Sequence, residues 1–163
     1  MHARFLPVVL ALVLTTAAPS ASRATSPRAA TPLPPPACAA LAKTLSEATG
    51  IAVTTAVGPA RTVDERAPRG EGCLVTGTAT GLTRRFGEVS DRLAGALRGW
   101  RHDVPFDADG PMSLVRRYAR DGVSIIVFLE TENPPGTCAD IPIGDCRVPL
   151  RRWTWTLKAV AWR

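Results

Sequence analysis

Histidine and lysine are scarce in this chain of 163 residues, and their scarcity limits the chemistry it can perform. A histidine-dependent acyl transfer would rest on His102, because His2 precedes the predicted mature chain, and no G-x-S-x-G elbow is present to supply a nucleophile. The Gly77–Gly81 stretch lacks the G-x-G-x-x-G spacing of a nucleotide-binding loop. The sequence therefore predicts a protein that is not an enzyme and that binds no cofactor.

Metal-binding knuckles are missing as well. The four cysteines are separated by 35, 65 and 8 positions, so none of them forms a C-x-x-C pair. Asp107–Gly110 matches the middle of a calcium-binding EF-hand loop, but Pro105 and Arg116 would stand at its two ends, where oxygen ligands are needed. No metal site is predicted.

Long hydrophobic runs are limited to one segment near the start. Phe5–Thr16 is apolar, follows the basic Arg4 and is shorter than the roughly 20 residues that cross a bilayer. Small residues follow it, as in a signal peptide, so we predict that residues 1–22 are removed on export, with cleavage after Ser20 or Ser22. Loss of Arg4 takes the formal charge from +6 to +5. A buried N-terminal helix or an uncleaved anchor is the alternative.

The next segment, residues 23–37, is rich in Pro, Ala, Thr and Ser and shows no apolar periodicity. This composition is typical of an extended, polyproline-like chain, so we predict a disordered tether here. The remaining length, residues 38–163, suits one folded domain. The predicted localisation is the periplasm or the extracellular space.

All four cysteines remain after removal of the signal, and an even number in an exported chain predicts two disulfides. Three pairings exist, and we favour Cys38–Cys73 and Cys138–Cys146. The second pair would close a ring of nine residues in which Pro142 and Gly144 supply the bends.

Helical and strand periodicities alternate along the first part of the domain. Apolar residues recur at spacings of three and four over Cys38–Thr49 and Phe86–Trp100, which predicts two amphipathic helices. Alternating apolar or β-branched residues predict strands over Ile51–Val57 and Cys73–Thr83. The Gly58–Gly72 segment between these strands carries three arginines and two prolines, and it is predicted to be a long exposed loop.

A hairpin is predicted in the second part. Asp121-Gly122 separates two apolar runs, and both central positions of a type I′ turn require positive φ, which these residue types tolerate. A two-residue turn at this point pairs Tyr118 with Ile125 and Leu114 with Leu129.

The C-terminal segment Trp153–Arg163 also alternates and is predicted to be the last strand. The order of elements is then α-β-β-α-β-β-β. This order predicts an α+β domain in which two helices pack on an antiparallel sheet of about five strands.

Arginines and aromatic residues are clustered in two of the predicted strands. The candidate binding residues are Arg116, Arg117, Tyr118, Arg120, Arg151, Arg152, Trp153 and Trp155. If the two strands are neighbours, guanidinium forks and rings would face an anionic polymer, a phosphate-bearing lipid head group or an acidic protein surface. Nucleic acid is not an expected partner of an exported protein. The alternative is that the rings are core residues and the arginines lie on solvated faces.

A hydrolase is the first alternative function. His102 stands in a turn-rich segment with Asp103, Asp107 and Asp109, and carboxylates beside a histidine are able to act as general acid and base. Clustered aspartates are also common in turns for purely conformational reasons.

The second alternative is an inhibitor that acts through the predicted Cys138–Cys146 ring. A closed loop loses little conformational entropy on docking, which suits recognition of an enzyme. In its nine-residue size and its Ile141-Pro142 pair, the ring resembles the inhibitory ring of the Bowman–Birk protease inhibitors, with the Ile-Pro pair displaced by one position. The resemblance covers the ring alone and implies that Asp140 would be the specificity residue.

The sequence as a whole favours a small exported protein that binds another component of the cell envelope or the extracellular space and catalyses no reaction. Its expected partner is a protein of that compartment, an anionic polymer or a lipid head group.

Overall fold

The computed structural model describes residues 29–138, 140–142, 145 and 147–163. Its helices and strands are α1 (Pro35–Thr49), β1 (Thr54–Pro59), β2 (Glu71–Ala79), α2 (Phe86–Ala96), β3 (Arg101–His102), β4 (Ala108–Gly110), β5 (Ser113–Arg120), β6 (Val123–Glu132) and β7 (Thr154–Trp162). The predicted α+β class is confirmed, because two helices lie against one antiparallel sheet.

The sheet has seven strands where about five were expected. Its order is β1-β2-β7-β6-β5, and the short strands β3 and β4 both pair with the outer edge of β5. These two strands have only two and three residues, which is too short for a periodic pattern to reveal them. The chain segment that was expected to be a plain connection therefore extends the sheet.

The predicted hairpin between β5 and β6 is confirmed in turn and in register. Asp121 and Gly122 have φ values of 51° and 76°, as a type I′ turn requires. Tyr118 faces Ile125, and Leu114 faces Leu129. The register matters for function because it fixes which side chains of these strands share a face.

Both predicted helices are present, with shifted ends. Helix α1 begins at Pro35, three residues before the predicted start, because proline is favoured in the first turn of a helix. Helix α2 ends at Ala96, although the apolar pattern continues through Leu97 to Trp100. Both later side chains pack against the helix-side core from the turn that follows α2.

The disulfide Cys38–Cys73 is formed and links α1 to β2. This pairing was predicted. Its proposed companion includes Cys146, which lies outside the described residues, and so does the predicted signal peptide over residues 1–22. These two points stay predictions. No helix in the described ranges is long and apolar enough to span a membrane.

The end of the predicted tether belongs to the folded domain. Ala30 and Leu33 are buried, the Ala30 amide donates to the Arg69 carbonyl, and Pro32 pairs with Trp162. A short segment without periodicity is able to lie on a sheet when its few apolar side chains are buried against that sheet. The boundary drawn at residue 37 therefore falls inside the domain, whereas residues 23–28 lie outside the described part of the chain.

The two faces of the sheet bury different cores. The larger core lies between the helices and the sheet, and its fully buried members include Leu45, Ile125 and Trp155. The smaller core lies on the opposite face, where Ile126, Val160 and Trp162 pack against Ala30, Ala60, Ala67 and Phe106. The segment from 60 to 70, expected to be an exposed loop, therefore covers part of the second face.

Candidate functional site

The predicted group of arginines and aromatic rings is not assembled. Strand β6 lies between β5 and β7, so the two strands that carry the group are not neighbours and run about 10 Å apart. Tyr118, Trp153 and Trp155 are only 4%, 4% and 1% exposed. Rings buried to this degree present no face for a ligand to stack on.

The arginines of that group are distributed over several surfaces. On β5, Arg116 and Arg120 share the helix-covered side with Tyr118, whereas Arg117 points to the opposite side. Arg151 and Arg152 are exposed in a single 3₁₀ turn that precedes β7. Of this predicted group, Arg117 alone lines the cleft described below.

The acidic segment forms a hydrogen-bonded cluster at the edge of the helix-covered face. The His102 ring is hydrogen-bonded to Asp107 at 2.8 Å and stacks on Tyr118, with ring centroids 4.8 Å apart. Arg116 donates to Asp109 at 2.9 Å, lies 3.9 Å from the other Asp107 oxygen, and reaches the Ser90 hydroxyl at 3.4 Å. Each carboxylate in this cluster therefore has a basic partner.

His102, Ser90 and Asp103 have different partners. The one serine in it, Ser90, is bonded to Arg116, and in the described part of the chain no hydroxyl is hydrogen-bonded to His102. Asp103 points elsewhere and pairs with Arg117. Within the same described residues, no group of His, Cys, Asp or Glu side chains is placed to hold a metal ion. The hydrolase hypothesis stays a prediction.

The ring proposed for an inhibitor falls partly outside the described residues, since positions 139, 143, 144 and 146 are not among them. The inhibitor hypothesis accordingly stays a prediction.

The most distinctive site lies on the other face of the sheet. A cleft of about 680 Å³ opens there, and five of its lining side chains are arginines: Arg61, Arg66, Arg69, Arg101 and Arg117. Trp162, Ser124 and Ala119 lie with them in the lining. We call this site the arginine cleft. Three elements build it: the 60–70 segment, strand β3, and the sheet itself.

Two of these guanidinium groups are fixed on the ring of Phe106. The guanidinium carbon of Arg66 lies 3.8 Å from the ring centroid, and that of Arg117 lies 4.8 Å from it. Cation–π attraction stabilises both contacts. Arg66 also donates to the Phe106 carbonyl at 2.8 Å, and Arg117 forms an ion pair with Asp103. Both side chains are therefore held in place before any ligand arrives.

Arg66 has a carboxylate partner as well. It binds Asp64 through two parallel contacts, Nε to Oδ1 at 3.0 Å and Nη2 to Oδ2 at 2.8 Å. These hydrogen bonds lower the pKa of Asp64, although partial burial acts in the opposite direction. The Asp64 carboxylate stays ionised well into the acid range, so Arg66 is positioned throughout the neutral range.

The other three arginines of the cleft are not neutralised. Arg61 donates to the Ala67 carbonyl at 3.0 Å, a contact that orients the side chain and leaves its charge unbalanced. Arg69 and Arg101 are exposed, and within the described ranges neither has an ion-pair partner. Two carboxylates are ion-paired with these five positive side chains, and Glu65 also attracts Arg66. A concentrated positive field of this kind attracts anions.

Comparison with known proteins adds no name to this site. No family model, no curated protein and no solved structure matches the chain.

Sequence reasoning missed four of the five arginines of the cleft. Three of them, Arg61, Arg66 and Arg69, belong to the segment that was expected to be an exposed loop. The segment is instead anchored by the Ala60 amide, which donates to the Gly70 carbonyl at 2.9 Å, and by burial of Ala60 and Ala67. Buried alanines between arginines are a weak sequence signal, and only the tertiary contact shows that the segment forms a wall.

Gly70 makes the close approach in this wall sterically acceptable. Its φ is +116°, and a Cβ at this position would lie 2.4 Å from the Ala30 carbonyl oxygen. No other residue type combines this backbone conformation with that clearance. The glycine lets the Ala30 segment close one side of the cleft.

Proposed function

We propose that the protein is an exported, non-enzymatic binding protein of the cell envelope or the extracellular space, and that it holds an anionic ligand in the arginine cleft. The observation that carries this proposal is the imbalance of charge there: five arginines line the cleft, and two carboxylates neutralise two of them. The site is also preorganised, because Arg66 and Arg117 are fixed against Phe106, so little side-chain entropy is lost on binding.

Export is supported by two independent features. The N-terminal sequence has the pattern of a signal peptide, and the Cys38–Cys73 disulfide suits an oxidising compartment. The non-enzymatic part of the proposal rests on the sequence, which has no G-x-S-x-G elbow and a single histidine, His102, in the predicted mature chain.

The test compares two pairs of arginines that carry the same charge. Processed, oxidised protein is titrated calorimetrically with inorganic polyphosphate at low and at high salt, as wild type, as Arg69→Gln/Arg101→Gln, and as Arg151→Gln/Arg152→Gln. Each contact between an exposed arginine and a phosphate contributes about 1 kcal/mol, so loss of the cleft pair should weaken binding by roughly thirtyfold. Binding should also weaken at high salt, because the attraction is electrostatic.

The Arg151/Arg152 pair is the matched control, because it is exposed, removes the same formal charge and lies outside the cleft. We expect the affinity of the Arg151→Gln/Arg152→Gln variant for polyphosphate to stay within about twofold of that of the wild type. Equal losses in the two variants would show that net charge, and not the cleft, attracts the anion.

A further variant, His102→Gln/Asp107→Asn, tests the hydrolase alternative. This variant should retain the biological effect of the protein, and loss of that effect would favour the hydrolase.

A further inference from the structure

The floor of the arginine cleft is one straight row of residues that crosses four strands. Trp162 on β7 pairs with Ser124 on β6, Ser124 pairs with Ala119 on β5, and Ala119 pairs with Arg101 on β3. Directly paired residues point to the same side of a sheet, and neighbouring strands lie about 4.8 Å apart, so the row is about 14 Å long. The two middle residues are small and half-buried. They leave a trough between the indole and the arginine.

Positive charge is spread along this trough. Arg101 stands at the β3 end of the row. Arg69 lies at the Trp162 end of the row. Its carbonyl accepts a hydrogen bond from the Ala30 amide, and Pro32, two residues after Ala30, pairs with Trp162. Arg66 and Arg117 are held together over Phe106. One small anion is too short to contact guanidinium groups at both ends of the row, whereas a chain of repeated anions is able to contact all of them.

The arginines of the cleft come from different sides, and this arrangement favours a phosphate ligand over a carboxylate ligand. Guanidinium groups come from the 60–70 wall, from the edge strand β3 and from β5 in the floor. A phosphate presents oxygens in several directions and so accepts from donors on different sides, whereas the two oxygens of a carboxylate lie in one plane. Arginine forks bind phosphate oxygens in pairs.

Nucleobases find little to stack on in this site. Trp162 is the one aromatic ring in the described lining of the cleft, and it is only 9% exposed. Proteins that bind single-stranded nucleic acid use exposed rings as stacking platforms. The trough therefore suits a phosphate chain that carries no bases.

From these observations we infer that the ligand is a linear, base-free, phosphate-bearing polymer, such as a polyphosphate or a polyol phosphate, laid across the strands from Trp162 to Arg101. This inference rests on the proposed function, since it names the ligand class of the same cleft. It adds a direction and a minimum length to the ligand, which anion binding alone does not require.

The test uses chain length. Wild-type protein is titrated with pyrophosphate and with inorganic polyphosphates of increasing length, each at the same total phosphate concentration. Affinity per chain should rise at least tenfold from pyrophosphate to the longer chains and level off once the chain spans the trough. Equal affinity for pyrophosphate and for long chains would overturn the inference that the ligand is a polymer. It would leave the anion site of the proposed function intact.

Filling the trough separates shape from charge. Ser124→Trp places a large side chain in the floor and keeps all five arginines, and we expect it to weaken binding of long polyphosphate at least tenfold. Thr76→Trp is the matched control, because Thr76 is exposed on the same face of the sheet and lies outside the cleft. It should bind as the wild type does, and circular dichroism verifies that both variants are folded. Unchanged binding by Ser124→Trp would overturn the inference.

Two competitor polymers complete the test. A single-stranded oligodeoxythymidine and a polyglutamate, each matched in charge to the polyphosphate, should bind at least tenfold more weakly. Equal binding of the oligonucleotide would overturn the base-free ligand, and equal binding of polyglutamate would overturn the preference for phosphate. If no polyanion binds in a manner that depends on Arg69 and Arg101, the proposed function itself fails.

Discussion

The two faces of the sheet both carry arginines, but they treat the charge differently. On the helix-covered face, Arg116 is surrounded by Asp107, Asp109 and the Ser90 hydroxyl. On the other face, the arginine cleft gathers five guanidinium groups and pairs two of them with carboxylates. In the first arrangement the arginine lies beside two carboxylates, whereas in the second three arginines have no carboxylate partner among the described residues.

Their supporting structures differ in the same sense. The helix-covered face has the larger core and the disulfide, so it accounts for most of the stability. The cleft face has a smaller core, and part of that core is the platform for Arg66 and Arg117. Like charges held close together oppose folding through mutual repulsion. This repulsion falls on the cleft face, and it supports our proposal that the cleft binds an anion.

Removal of the disulfide should give the largest change and should affect one face only. The Cys38→Ala/Cys73→Ala variant loses a cross-link between residues 35 positions apart, and the free energy of unfolding should fall by about 4 kcal/mol on the loop-entropy account. Urea denaturation measures this loss. At low temperature, where the variant is still folded, its affinity for polyphosphate should match that of the wild type. A parallel loss of affinity would show that the helix-covered face also shapes the cleft.

Replacement of Phe106 should give an intermediate change on the opposite face. Phe106→Leu removes the ring that carries both Arg66 and Arg117, so we expect stability to fall by about 1–2 kcal/mol and polyphosphate affinity to fall severalfold. Phe128→Leu is the control, because Phe128 lies on the same sheet face outside the cleft. The Lys158 Nζ lies 5.6 Å from the centroid of its ring. Urea denaturation and calorimetric titration measure the two effects. Loss of affinity in the control alone would place the ligand elsewhere on this face.

Local patterns were sufficient for the helix-covered face. The amphipathic periods of both helices, the Asp121-Gly122 turn and the alternation of β7 are all readable within ten to fifteen residues. The Cys38–Cys73 pairing was favoured among three, and it agrees with a helix α1 that packs its apolar stripe, including Cys38, on the sheet face that carries Cys73. The physical information in these cases is local or nearly so.

The cleft could not be predicted in this way. Its arginines come from the 60–70 segment, β3 and β5, and nothing in their sequence neighbourhood shows that these elements meet. The candidate group depended on β5 and β7 being neighbours, and the β6 strand that separates them is placed by long-range pairing. Residues 30–37 were misassigned for a related reason, since Ala30 and Leu33 are apolar without being periodic.

Titration of Tyr118 should give the smallest change, again on the helix-covered face alone. Burial disfavours the tyrosinate and raises the pKa of Tyr118 above its ordinary 10.0, although Arg116 acts in the opposite direction. The unfolded chain therefore ionises first as the pH rises. The stability that Tyr118 contributes is fully present below pH 10.0 and is lost as the pH rises from there through the pKa of the folded state.

Tyr118 is the single tyrosine of the chain, so the ultraviolet absorbance of tyrosinate reports its ionisation directly. Between pH ~8 and ~11, the urea midpoint of the wild type should fall more steeply than that of Tyr118→Phe, in which nothing ionises at this position. The lysines and arginines are common to both proteins and cancel in the comparison. Polyphosphate affinity should be the same in the two proteins over the same window, because Tyr118 lies on the far side of the sheet from the cleft. Parallel pH profiles, or a tyrosinate that forms at pH 10.0 in the folded protein, would contradict the burial of this ring.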